Sequence, residues 1–324
     1  MAGPFTCRRK KEIFYKLKST ASKLYPGLNP RSIAYYLSAI ALSLFQLGRI
    51  DQWLRRNAKN KALKDELHNS SRMYGAMLRP YVNKKWTIAD RLDALEQHYL
   101  ALQAKGPLLV FDEEHYLNLV ELGPQYLDLR VVVDKPGWLR GEGEIGVSLF
   151  CQNCRIYTAM FLVTGNSDSR RMVVGGIQGW GMPQAKDLYV DLTHALHRLR
   201  PRDLLVSILK MIATNLGCSE IHGVSDECHR STQMFTSATK KTTYDDIWQE
   251  HGGTLNSDGF FVMPAQLLRR EAADIPSRKR AQYRRRYKLL NNIQQRIDHA
   301  FSTNERLLRS HGQSSPNVEA EATV

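Results

Sequence analysis

Residues 171–229 constrain the fold more than any other part of the chain. An apolar strand pattern interrupted by glycines, at 171–180, precedes a helical pattern at 201–216 and a short strand pattern at 220–226. A strand, a crossover helix and a second strand form a unit that places a ligand site at the carboxyl ends of its strands. We therefore expect such a unit here, with a candidate site beside it.

The remaining segments predict an α+β protein. Residues 1–105 have helical spacing of apolar residues, and the last of these helices opens with a Thr87-x-x-Asp90 cap. After Gly106-Pro107 the pattern changes to short β-branched or alternating segments, which are 108–111, 127–134, 142–150, 156–163, 171–180 and 259–264. Most of these strands should be antiparallel, with a tight hairpin at residues 151–154.

Four regions follow from this pattern. They are a basic helical region at 1–105, an α+β core at 106–268, basic amphipathic helices at 269–309 and a disordered polar tail at 310–324. Residues 1–91 hold 19 Lys and Arg against 5 Asp and Glu, and residues 269–309 hold 12 against 4, within a total net charge of +14. Basic ends favour phosphate-bearing partners, either nucleic acid or an anionic membrane surface, but solvated helix faces explain the same charges.

The expected compartment is the cytoplasm. Five cysteines in 324 residues do not form a disulfide framework, and the basic N-terminus lacks the apolar segment of a secretory signal. The uncharged stretch at 32–48 has 17 residues, whereas a membrane span needs about 20. A buried or interfacial helix is therefore expected there.

The first candidate site lies where the glycine-bearing strand meets the helix that begins near Pro201. Glycines in a strand indicate a bulge or a close approach of the backbone to a ligand, such as the amide-bearing arm of pantetheine. Three arginines flank the start of the helix, where free amides and guanidinium groups can bind phosphate. The residues of this site are Gly175, Gly176, Arg198, Arg200 and Arg202. A packing bulge with surface arginines is the alternative.

The second candidate site follows the strand at 220–226. His229 or His222 is a candidate general base, and Asp226 is a candidate partner that orients the imidazole. The alternative is a strand end at which Asp226 caps a helix.

Two other interpretations carry less weight. Cys151-x-x-Cys154, Cys218, Cys228 and His229 include enough zinc-ligand types, but the second half lacks ligand spacing and the hairpin explains the first pair, so we expect no metal. The basic segment 278–288 contains two tyrosines and suits an anionic membrane surface or a helix packed on the domain. It matches no nucleic-acid module, and no specific nucleic-acid partner is expected.

Five segments together resemble the VirK/YbjX family of Gram-negative bacteria: GGIQGW (175–180), DLTHALHRLRPRDLL (191–205), IHGVSDECH (221–229), YDDIWQEHGG (244–253) and RKRAQYRRRY (278–287). The resemblance implies a role at the bacterial envelope, in envelope stress, virulence or resistance to antimicrobial peptides. The order of strands and helices also resembles the GNAT acyltransferase fold. That fold implies an acyl-CoA donor, although RLRPRD at 198–203 stands where the glycines of its phosphate loop belong.

Two functions remain open at this point. One is acyl or aminoacyl transfer onto an envelope component, with acyl-CoA or acyl carrier protein as donor and a degenerate phosphate-binding loop. The other is a non-catalytic scaffold that uses the helices at 31–49 and 278–288 to lie on the anionic inner-membrane surface. Both are compatible with a cytoplasmic protein that associates peripherally with the inner membrane.

Overall fold

The computed structural model of the protein describes residues 4–69, 72–179, 181, 185–231, 243–304 and 308–310. The tail predicted to be disordered, apart from Ser310, and residue 180 of a predicted strand lie outside these residues. Within them, helices and one mostly antiparallel sheet form an α+β protein, which confirms the predicted fold class.

The N-terminal region is helical, as its pattern predicts. It contains α1 (Pro4–Leu24), α2 (Pro30–Arg56), α3 (Lys61–Asn69), α4 (Arg72–Leu78) and α5 (Ile88–Lys105). Asn29 caps α2 by accepting a hydrogen bond from the Ser32 amide. Thr87 and Asp90 form the expected capping box at α5, in which each side chain accepts from the other residue's backbone N–H. Local sequence therefore determines where both long helices begin.

The core of the protein is one sheet. Its strands among the described residues are β1 (His115–Glu121), β2 (Arg130–Asp134), β3 (Ile145–Cys151), β4 (Cys154–Thr164), β5 (Arg171–Gly179), β6 (Glu220–Val224), β7 (Thr254–Leu255), β8 (Phe260–Pro264) and β9 (Leu308–Ser310). Their order is β7-β8-β6-β5-β4-β3-β2-β1-β9. Only β5 and β6 run parallel among the described strand pairs. The β3–β4 turn has positive φ at Gln152 and Asn153, which gives the tight hairpin that was expected.

The remaining helices pack around this sheet. They are α6 (Ala185–Ala195), α7 (Pro201–Asn215), α8 (Tyr244–Glu250) and α9 (Ser277–Thr303). From the N-terminal region, α5 packs on β4; α7 contacts β3, β4, β5 and β6, and α9 packs on α7 and β1. The apolar stripe of α9 is buried at Leu290, Ile293 and Ile297. This arrangement agrees with the interpretation of α9 as a helix packed on the domain.

Several local predictions were wrong. Residues 108–111 do not form a strand, because a 3-10 turn occupies Pro107–Leu109 and proline, with fixed φ and no N–H, suits the start of such a turn. Residues 269–276 are not helical, and α9 begins only after Pro276. The sequence analysis did not predict the helix α6 or the strands β1, β7 and β9. The strands β7 and β9 are too short to show a period of apolar residues.

Candidate functional site

The pairing between the parallel strands β5 and β6 ends partway along β5. Their pairing runs from Arg171 and Glu220 to Val174 and Gly223. Past Val174, β5 continues to Gly179 with pairing to β4 only. A bulge in the β4–β5 ladder lies at Gly175, directly after the last residue of β5 that pairs with β6. Side chains from other elements therefore reach the β5 backbone at this point.

Glu142, in the loop before β3, covers the glycine pair of β5. A β-carbon on Gly175 would overlap the Glu142 carbonyl, and one on Gly176 would overlap its carboxylate. The Glu142 side chain is buried, and its Oε1 accepts a hydrogen bond of 3.1 Å from Gln178 Nε2. Its Oε2 is buried and has no hydrogen-bond partner among the described residues. The two glycines thus allow a close approach to the β5 backbone, as the sequence predicts. The group that approaches is Glu142 of this chain and not a ligand.

His229 faces the same carboxylate. Its imidazole is fully buried, with Nε2 at 3.5 Å from Glu142 Oε1. The Ser231 amide donates to His229 Nδ1 over 3.2 Å. The same Nδ1 lies 3.3 Å from the Ser231 carbonyl oxygen. A proton on Nε2 toward Glu142 satisfies the amide, whereas a proton on Nδ1 satisfies the carbonyl. The arrangement is a buried carboxylate–imidazole pair, which is a common basis for proton transfer.

Tyr244, the first residue of α8, completes this group. Its ring centroid lies 5.2 Å from that of His229, and its side chain has a hydrogen bond with the backbone of Ile177 on β5. Burial first, and then the charge of Glu142, raise the pKa of Tyr244 well above its usual value. Its phenol therefore stays protonated near neutral pH. We call Glu142, Gln178, His229 and Tyr244 the Glu142 cluster.

Asp226 does not serve as the partner of His229. Its Oδ1 accepts a hydrogen bond of 3.0 Å from the Tyr244 amide, and its Oδ2 one of 3.5 Å from the Asp245 amide. In return, the Asp226 amide donates to Asp245 Oδ1 over 2.7 Å. Asp226 therefore caps the first turn of α8, which is the alternative that the sequence left open.

His222 lies apart from the Glu142 cluster in its contacts. Its Nε2 is 2.9 Å from Glu220 Oε2 on the same strand, and its ring centroid is 6.1 Å from that of Phe260. Burial lowers the pKa of His222, although the hydrogen bond with Glu220 opposes this shift. These contacts describe a histidine packed on β6 rather than a partner of His229.

The arginines at the start of α7 are paired with carboxylates of this chain. Glu250 Oε2 lies 2.6 Å from Arg200 Nη2 and 2.5 Å from Arg202 Nη2. Asp203 Oδ2 accepts a further hydrogen bond of 2.7 Å from Arg200 Nε. Arg198 is exposed and contacts His194. The predicted cationic cradle is therefore neutralised by Asp203 and Glu250, and a ligand phosphate would have to displace them.

Sequence reasoning missed Glu142, Gln178 and Tyr244. Glu142 lies 87 positions before His229, so no local spacing connects the two. An acidic residue between two glycines, directly before an apolar strand, was the available signal. Among the described residues no group of three or more His, Cys, Asp or Glu side chains is arranged to hold a metal ion.

The uncharged stretch of the N-terminal region forms part of α2. Within the described residues, α2 is the one helix that is long and apolar enough to cross a membrane by length and composition. One side of it is buried at Ala39, Ser43 and Ile50. The opposite side exposes an apolar stripe, formed by Ile33, Leu37, Leu44 and Phe45, and Phe45 is 91% exposed.

The chain belongs to the DUF535 family, because the family model described as a protein of unknown function (DUF535) matches residues 29–299. It is 28% identical to "Uncharacterized protein YbjX" of Escherichia coli K12 over 267 residues, 77% of this chain and 78% of the relative. An uncharacterized protein of Haemophilus influenzae is 27% identical over 222 residues, 67% of this chain and 73% of that relative. No solved structure matches the chain. The resemblance to the VirK/YbjX family is thereby confirmed, and the names of these relatives state no activity.

Proposed function

We propose that this DUF535 protein transfers an acyl or aminoacyl group to a component of the bacterial envelope, on a GNAT-like core. The observation that carries the proposal is the stretch of β5 past Val174 that is not paired with β6, beside the Glu142 cluster. Antiparallel strands lead into the bulged, glycine-bearing β5, and α7, β6, α8 and β8 follow. This order supports the resemblance to the GNAT fold, in which acyl transfer occurs between two such strands.

The Glu142 cluster supplies the groups that acyl transfer needs. Glu142 Oε2, which has no described partner, takes the proton from the amine or hydroxyl of the acceptor as that atom bonds to the acyl carbon. The bond between the acyl carbon and the donor sulfur breaks, and the leaving thiolate takes the phenolic proton of Tyr244. A proton passes from Glu142 back to the Tyr244 phenolate to restore both groups. Gln178 and His229 orient the carboxylate through Oε1.

The proposed donor is an acyl-CoA or an acyl carrier protein. Its pantetheine arm would pair with the part of β5 beyond Val174 that has no β6 partner. Arg200 and Arg202 would bind its phosphates in place of Glu250. Arginine forks suit phosphate oxygens, since they donate two parallel hydrogen bonds.

The test measures thiol release and product formation. The full chain is incubated with acetyl-CoA or palmitoyl-CoA and an envelope fraction from cells that lack the protein. Free thiol is measured by a colorimetric assay, and acylated envelope material is identified by mass spectrometry. Glu142→Gln should lower the rate by about 100-fold or more, as expected for loss of a general base, while the exposed control Glu114→Gln retains it.

Two results would exclude this proposal. The first is the absence of thiol release and of acylated product with the unmodified protein and every donor. The second is a Glu142→Gln variant that works as fast as Glu114→Gln. Circular dichroism of each variant shows whether the fold is retained.

A second function, docking on anionic lipid, is favoured by the exposed stripe of α2. Helix α1 lies against α2 and carries seven basic residues and one acidic residue. An exposed apolar face beside basic side chains is typical of helices that bind an anionic membrane surface. We propose that α1 and α2 hold the protein at the inner membrane, next to envelope substrates.

Vesicle flotation tests the docking. The protein should float with vesicles that contain phosphatidylglycerol at low salt and less so at high salt, because salt screens surface charge. Leu37→Gln with Leu44→Gln should weaken flotation, whereas Leu255→Gln, which changes an exposed leucine of β7, should leave it intact. Equal flotation of all three proteins, or no flotation at low salt, would refute it.

A further inference from the structure

A second group of charged side chains lies outside the Glu142 cluster. It consists of four arginines, which we call the arginine cluster: Arg72, Arg79, Arg140 and Arg230. Arg72 begins α4 and Arg79 follows it, Arg140 follows the 3-10 turn Gly137–Leu139, and Arg230 directly follows His229. Three separate parts of the chain thus bring positive charge to one place.

The positive charges of the arginine cluster act on one another. Burial first, and then the charges of Arg230, Arg140 and Arg72, lower the pKa of Arg79 to about 10. The usual pKa of an arginine is above 12. The guanidinium groups of the cluster therefore lie close enough for their charges to oppose one another.

Among the described residues, one carboxylate pairs with this cluster. Glu113 Oε2 lies 2.7 Å from Arg140 Nη2, and Glu113 Oε1 lies 3.8 Å from Arg72 Nη1. Arg79 and Arg230 have no salt bridge and no side-chain hydrogen bond to a described residue. The Nε atoms of Arg79, Arg140 and Arg230 are buried without a hydrogen-bond partner. Buried charged donors without acceptors are costly, so a bound anion would stabilise this arrangement.

The backbone around the arginine cluster is shaped to hold it. A β-carbon on Gly141 would overlap the Arg230 guanidinium, so Arg230 lies directly over this glycine. The Val82 amide donates to the Gly141 carbonyl over 2.8 Å, which joins the segment after α4 to the loop that bears Arg140. Arg79, Arg140 and Arg230 each keep part of their surface exposed. A ligand can therefore reach them from solvent.

We propose that the arginine cluster binds a phosphate group of a ligand. Arg79 and Arg230 face no carboxylate of the described residues, and a phosphate monoester dianion matches two guanidinium groups better than a single carboxylate does. Guanidinium forks bind phosphate oxygens in pairs, which gives such a site its geometry. This proposal does not depend on the proposed acyl transfer, because phosphate binding at the arginine cluster is measured without an acyl donor or acceptor.

The phosphate comes from a soluble molecule or from a lipid headgroup. Burial raises the pKa of Tyr25, which directly follows α1, and the nearby charges of Arg79 and Arg230 oppose this shift. The ring of Tyr25 lies 5.7 Å from that of Tyr35 on α2. The cluster is therefore close to the start of the helix that exposes the apolar stripe. The two sources share the same phosphate chemistry, and the experiment separates them.

The test is calorimetric titration of the full chain with inorganic phosphate and pyrophosphate, with sodium chloride at matched ionic strength as the blank. A second arm uses vesicles of phosphatidylcholine with and without phosphatidic acid. The variants are Arg79→Gln and Arg230→Gln. The control is Arg284→Gln, which removes an exposed charge from α9.

The expected result is phosphate-dependent binding that falls at least tenfold in Arg79→Gln and Arg230→Gln and is unchanged in Arg284→Gln. Both variants should unfold at the same temperature as the unmodified protein or higher, because each removes a repelling charge. Binding only to phosphatidic acid vesicles identifies a lipid headgroup as the ligand. The proposal is overturned if the unmodified protein binds none of the probes, or if all variants bind equally.

Discussion

The buried carboxylate of Glu144 offers a sharp test of how the helical N-terminal region is held on the sheet. Glu144 precedes β3 and is fully buried. Its Oε1 accepts a hydrogen bond of 2.8 Å from the phenol of Tyr81, and its Oε2 accepts one of 2.8 Å from the phenol of Tyr99. Both tyrosines belong to the helical region, one before α5 and one within it. A single acidic side chain of the core thus links two parts of that region.

The magnitude follows from the kind of hydrogen bond. A bond to a charged group contributes about 1.5–3 kcal/mol, more than a neutral one. Tyr99→Phe removes one such bond with no change in ring packing, so we expect it to lower the free energy of unfolding by about 2 kcal/mol. In a Glu144→Gln background the same change should cost at least about 1 kcal/mol less, since residues in direct contact are energetically coupled.

The assay is urea unfolding followed by far-UV circular dichroism, with the free energy taken by linear extrapolation. Tyr15→Phe is the matched control, because Tyr15 is 65% exposed on α1. The reasoning is wrong if Tyr99→Phe costs no more than Tyr15→Phe. It is also wrong if its cost is the same with Gln at position 144, because the phenol would then act through some other contact.

Three further predictions concern buried groups. Burial first, and then nearby positive charges, lower the pKa of His98 to about 3. As the pH falls below 6.5, the unfolded chain therefore binds a proton at His98 that the folded chain does not bind. The free energy of unfolding should then drop by about 2 kcal/mol at pH 5. In His98→Gln, urea unfolding at pH 7 and pH 5 should show a smaller acid loss, and an equal loss would contradict the assignment. Among the cysteines whose burial is described, maleimide should label exposed Cys154 first and Cys218 far more slowly, since burial raises the pKa of Cys218 to about 12; peptide mass spectrometry decides the order. Gly223→Ala should destabilise the protein by about 1–3 kcal/mol, because its β-carbon would overlap the ring of Trp248, and an unchanged urea midpoint would refute this.

Features set by neighbouring residues could be predicted from the sequence. The cap at Thr87 and the hairpin between Cys151 and Cys154 depend on contacts within four residues, and both form as expected. The predicted strand at 108–111 failed because its apolar pattern is compatible with any buried backbone, and only Pro107 favours the turn. Short apolar segments therefore remain ambiguous until their partners are known.

The candidate site was predictable only in part. The sequence identified the glycine pair of β5 and His229 as parts of two candidate sites on one strand–helix–strand unit, because strand ends and in-strand glycines are visible locally. It paired His229 with Asp226, which is near in sequence, whereas the structure places Glu142, from the loop before β3, against His229. Contacts between distant segments decide which carboxylate meets an imidazole.

The two groups of arginines also show that contacts between distant segments decide which charged groups are paired. At the start of α7, Arg200 and Arg202 stand close together in sequence and suggest an anion site, but α8 brings Glu250 to both of them. Arg79 and Arg230 are far apart in sequence and suggest nothing, yet the fold places them together without an acid of their own. A phosphate at Arg200 and Arg202 has to displace Glu250, whereas one at Arg79 and Arg230 displaces no carboxylate of a described residue. The arginine cluster is therefore a second place to look for a phosphate ligand, beside the loop that also positions Glu142.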